Sequence, residues 1–186
     1  MKKLNSKGYS LVEMMMVLLI STIAGYILFT TTRVANDQNE TREARMFLQE
    51  NIRDGFYKMV QEIRQTAPSR VTIYTSNGAT TTSGPTIQFQ VPNPSYFTTG
   101  TSYDLDWNNA HTIRYALGGT NNTQIIRTNV TSNTTTIVAN NISSVTFTGN
   151  SATPDYVTIT MTAQKTMTSG RSIQTPLYAT AELRNS

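Results

Sequence analysis

Residues 14–32 carry no charged side chain, and the residue before that run is Glu13. As a helix rising about 1.5 Å per residue, the run reaches roughly 30 Å, the thickness of a bilayer's hydrocarbon core. It is therefore expected to span a membrane. Ser21, Thr22, Gly25 and the threonines 30–32 make it a weak span. Arg33, Asn36, Asp37 and Glu40 lead into a polar stretch with no Ala-x-Ala site, so the segment is expected to stay as an anchor. Glu13 admits two readings. A carboxylate carried to mid-membrane costs about 2.5–3.5 kcal/mol and so needs a partner or a function. Alternatively, it flanks the span at headgroup level.

The formal charge of +4 owes most to topology. Lys2, Lys3 and Lys7 supply three of the 15 Lys and Arg, and the rest of the chain is close to balanced against 11 Asp and Glu. Three lysines before the span and few after it predict a cytoplasmic N-terminus with the remainder outside. At 186 residues there is room for this anchor and one modest domain. The absence of cysteine excludes disulfides, thiolate metal sites and a cysteine nucleophile. His111 is the single histidine, which leaves little material for a multi-histidine metal site or for acid–base catalysis.

After the span, Ala44, Phe47, Leu48, Ile52, Phe56, Met59, Val60 and Ile63 recur at helical steps, with charges mostly on the opposite face. One helix is predicted from about residue 10 to 65, stopping where Ala67 precedes Pro68. Gly25 and the threonines 30–32 are the places where it would bend or unwind. From Val71 the period falls to two. Val71-Ile73, Ile87-Phe89-Val91, Ile113-Tyr115-Leu117, Val145-Phe147 and Val157-Ile159-Met161 read as half-buried strands, with Ile125-Ile126 and Ile137-Val138 as shorter ones. Residues 118–122 form a hairpin turn. Residues 178–183 close the chain as an edge strand, with Pro176 just before it. The fold class is α+β: a long N-terminal helix, half in lipid and half amphipathic, packed on antiparallel β-sheet.

Residues 75–84 and 92–109 are expected to be loops. The second holds Tyr96, Phe97, Tyr103 and Trp107, a candidate recognition segment; the alternative is that these aromatics tuck back to pin a long loop. Asp104-x-Asp106-x-Asn108 begins like a calcium loop, but Asn109 and Tyr115 stand where its glycine and its glutamate belong. No metal site and no cofactor is expected. Arg64, Arg70, Arg114 and Arg127 could form a basic cluster for nucleic acid. A near-neutral domain offers too few phosphate contacts, so they are read as solvated positions and nucleic acid is not an expected partner.

Lys7-Gly8-Tyr9-Ser10-Leu11-Val12-Glu13, after a basic leader and before an uncharged span, resembles the type IV prepilins. The resemblance covers the leader, Gly8, residues 10–13 and the apolar helix, and it weakens toward the C-terminus. Tyr9 stands where phenylalanine is usual. The resemblance implies that a prepilin peptidase cuts after Gly8 and methylates the amine of Tyr9. It also implies that Glu13 then pairs with the terminal amine of a neighbouring subunit. On that reading residues 1–8 are the leader, 9–33 the membrane and filament-core helix, 34–67 its amphipathic half, and 68–186 a β-rich domain outside the inner membrane, in a type IV pilin fold. The expected role is non-enzymatic: a minor pilin or minor pseudopilin of a type IV pilus or type II secretion system, assembling with other pilins or pseudopilins near the filament tip. Strand order in the C-terminal region is similar to the J-type pseudopilins and W-type minor pilins. A major pilin, or a membrane-tethered binding protein or enzyme, are the alternatives.

Overall fold

A computed structural model describes residues 10–92, 107–168 and 170–184. The helix α1 runs Leu11–Arg64, 54 residues, close to the span expected from periodicity. It stops because Ala67 takes an extended conformation before Pro68, and the Thr66 amide bonds back to Ile63 instead of continuing the ladder.

The chain divides into two compact units, residues 1–43 and 44–186. In the first, the helix does not unwind at Gly25 or at the threonines. Thr22, Thr30, Thr31 and Thr32 each donate their hydroxyl to a carbonyl three or four residues back, at 2.8–3.1 Å. Each hydroxyl is thereby satisfied within the helix, which lowers the cost of placing it in an apolar medium. Every large apolar side chain from position 11 to 29 is exposed, between 53% and 76%. The helix is long and apolar enough to cross a membrane, by length and composition.

The second unit is the α+β body. Its strands are β1 (Val71–Tyr74), β2 (Thr80–Thr81), β3 (Ser83–Gly84), β4 (Thr86–Val91), β5 (His111–Gly118), β6 (Gln124–Asn129), β7 (Thr134–Asn140), β8 (Ile142–Gly149), β9 (Tyr156–Thr166) and β10 (Ser172–Glu182). They form two antiparallel sheets, ordered β2-β1-β4-β5-β6-β7 and β10-β9-β8-β3.

Leu48, Ile52, Met59 and Ile63 of α1 bury against Ile87, Phe89, Ile113 and Tyr115 of one sheet and Phe147, Val157, Ile159 and Met161 of the other. Both sheets therefore share one helix face as their core.

Three expectations are corrected. Residues 75–84 are not wholly loop: they hold β2 and β3, two-residue strands that pair with β1 and β8 and carry no periodicity to read. The last strand starts at Ser172, so Pro176 lies inside it. Its missing N–H falls on the free edge of the sheet, the side to which the Thr180 carbonyl also points. Phe47 of the predicted stripe is 43% exposed, its ring covered by the Lys165 ammonium 4.1 Å from the centroid. The turn at residues 118–122 joins β5 to β6 as expected, with Gly119, Asn121 and Asn122 at positive φ.

Candidate functional site

Gly8 and Tyr9 lie outside the described residues. Ser10 is the residue before α1, and its backbone N–H donates to Glu13 Oε2 at 3.0 Å. The Met14 amide bonds to the Ser10 carbonyl at 3.2 Å. A carboxylate three residues inside a helix that reaches back to the N-cap amide satisfies a donor the helix cannot, and it sits favourably at the positive end of the helix dipole. Ser10-x-x-Glu13 is the capping-box spacing, a signal present in the sequence that the membrane argument passed over. Glu13 thus has a local partner, and the exposed apolar surface of α1 begins directly beside it.

Tyr96, Phe97 and Tyr103 of the candidate recognition segment also lie outside the described residues. Trp107 is described, and its ring is engaged within the chain: the Arg70 guanidinium stacks over it, 4.5 Å from the centroid, while Arg70 also donates to the Gln90 amide oxygen. At this one aromatic the arrangement is the pinned one.

The four arginines do not form one cluster. Arg70 is held by Trp107 and Gln90, and Arg64 donates to the Thr180 carbonyl at 3.4 Å. Arg127 grips Glu62, its Nε 3.1 and 2.9 Å from the two carboxylate oxygens. Tyr115 is the register partner of Arg127 and donates its hydroxyl to Glu62 Oε2 at 2.9 Å. Both point to the helix side, so Arg114, the neighbour of Tyr115 on β5, faces away.

The Glu62–Tyr115–Arg127 set ties α1 to β5 and β6. Burial pushes the Tyr115 phenol well above its ordinary value, with the Glu62 charge and hydrogen bond acting the same way and Arg127 opposing. For Arg127, partial burial works against the charge, but the hydrogen bond and charge of Glu62 outweigh it and its pKa is raised. Sequence reading placed Glu62 on the solvent face of the helix and missed this set.

Among the described residues, no three of His, Asp and Glu converge as metal ligands, and the His111 Nδ1 and Thr66 Oγ1 atoms are buried without a hydrogen-bond partner. Comparison with protein-family models, with curated proteins and with solved structures finds no match to this chain.

Proposed function

We propose that the chain is a membrane-derived structural subunit, a type IV prepilin-like minor pilin or minor pseudopilin, that joins a filament through the apolar part of α1 and presents its β-rich body outside. It is non-catalytic, its fold is the pilin fold, and it starts in the inner membrane with a cytoplasmic N-terminus. One observation carries the reading: a capped helix whose first turn bears Glu13 leaves all its large apolar residues from 11 to 29 uncovered. In a filament these surfaces would bundle with one another, as they would face lipid before assembly.

Glu13 then has two tasks that follow one another. In the single chain it caps Ser10; in the assembly its carboxylate would meet the free amine of a neighbouring subunit's Tyr9. Inside a water-excluding bundle an unpaired carboxylate is several kcal/mol uphill, so the pairing would fix the axial register of the subunits.

The test is mass spectrometry of the protein extracted from membranes of cells with an active prepilin peptidase. Tyr9 is expected as the first residue, carrying a methyl group. An intact Met1 terminus would overturn the processing step. In parallel, Glu13→Ala is expected to leave processing near normal while assembly with the other subunits falls sharply, and Glu13→Gln to be intermediate. Assembly of Glu13→Ala at the wild-type level would reduce the carboxylate to a helix cap.

A further inference from the structure

β10 ends the four-stranded sheet, with β9 on one side only. In an antiparallel strand the N–H and C=O of one residue point the same way and alternate along the chain. The Thr180 carbonyl receives the Arg64 guanidinium from α1, so Thr180 faces the free edge. Tyr178 and Pro176 share its phase. Pro176 therefore sacrifices no ladder bond, and the Tyr178 N–H and C=O point off the sheet with no described residue pairing with them.

This edge opens into a groove of about 530 Å³ between α1 and β10. Phe56, Val60 and Leu177 supply its apolar lining, and Tyr57 and Tyr178 also border it. Tyr178 is 81% exposed. Arg64, which lines the groove, is the residue that donates to the Thr180 carbonyl.

The charged residues lining it are Arg53 and Arg64, both cationic, and no carboxylate lines it. Arg53 lies 5.9 Å from the centroid of Tyr57 on its own helix, and neither arginine forms an ion pair among the described residues.

We infer that this groove binds a short extended acidic segment of a partner protein, paired to the free edge of β10 through Tyr178. The segment would add a strand about 4.8 Å from β10, its backbone exchanging hydrogen bonds with the Tyr178 N–H and C=O. Its apolar side chains would face Phe56, Val60 and Leu177. Its carboxylates would meet Arg53 and Arg64, whose forked donors match a carboxylate's geometry. The groove lies wholly within residues 49–179, so the inference stands or falls separately from the filament reading.

The full chain in lipid nanodiscs, panned against a displayed library of random octapeptides, tests it. Enriched peptides are expected to carry at least one Asp or Glu amid apolar residues. Synthetic copies should lose about tenfold in affinity on Arg53→Gln or Arg64→Gln and nothing on Lys58→Gln, an exposed cation outside the groove. N-methylation of the paired peptide amides should abolish binding. All three positions are exposed, and circular dichroism of each variant checks that it folds. No enrichment over empty nanodiscs, binders without acid, indifference to both arginine substitutions, or full binding after N-methylation would each overturn the inference. So would a concentration-dependent dimer abolished by the same substitutions, which would assign the groove to a second copy of this chain.

Discussion

Glu62 accepts hydrogen bonds from two neighbouring strands at once, and the cost of losing it depends on which partner is left behind. Glu62→Ala leaves the fully buried Tyr115 hydroxyl without an acceptor, and about 2–3 kcal/mol of destabilisation is expected in urea denaturation. Tyr115→Phe removes donor and need together and should cost only about 1–1.5 kcal/mol. Arg127→Met should cost under about 1 kcal/mol, because the ion pair is partly wet, with side-chain exposures of 28% and 26%. The phenol also gives a pH signature. Its pKa in the fold is raised, so its contribution is complete below the unfolded value near pH 10 and is lost above it. There the unfolded chain releases a proton that the fold retains, and stability falls by up to about 1.4 kcal/mol per pH unit. Tyr115→Phe lacks this term, so the gap between wild type and variant should narrow from about pH 10 upward. Parallel stability profiles through that range would contradict the burial of the hydroxyl.

Along α1, two glycines stand in opposite circumstances. A Cβ placed on Gly55 would overlap the Val138 carbonyl oxygen and come within 2.9 Å of its Cγ1, whereas one on Gly25 meets nothing within 4 Å. Alanine favours a helix over glycine by about 1 kcal/mol at either position. At Gly25 that gain should be realised as higher helicity of the apolar segment in detergent. At Gly55 the obstruction is strand backbone, which cannot rotate aside as a side chain can, so Gly55→Ala should destabilise the body by about 1–2 kcal/mol net. A stabilised Gly55→Ala protein would mean that α1 and β7 do not approach this closely. The Gly55 position also explains why the amphipathic stripe continues across a residue with no side chain: the missing atom is where the helix meets β7.

For the molecule as a whole, every buried hydrophobic residue among those described lies at or after Ala44, and the second compact unit begins there. A chain of residues 34–186 is therefore expected to be soluble and folded, with helix and strand in circular dichroism and a single cooperative melt. Aggregation or a broad, non-cooperative transition would show that something beyond this body covers the stripe. The sequence by itself determined the helix and its stop before Pro68, the uncovered apolar run, and most of the strands, because each rests on local periodicity and backbone preference. Periodicity identifies which face of an element is buried and is silent about what lies across from it. Only the tertiary structure decided that the strands divide into two sheets, and that β2 and β3, too short for any period, are held by pairing. It also brought Glu62 to Tyr115 and Arg127, 53 and 65 residues away, and left the edge of β10 beside Arg53 and Arg64, neither of which meets a carboxylate among the described residues. Those contacts depend on the register and spacing between elements, which side chains from distant parts of the chain set together.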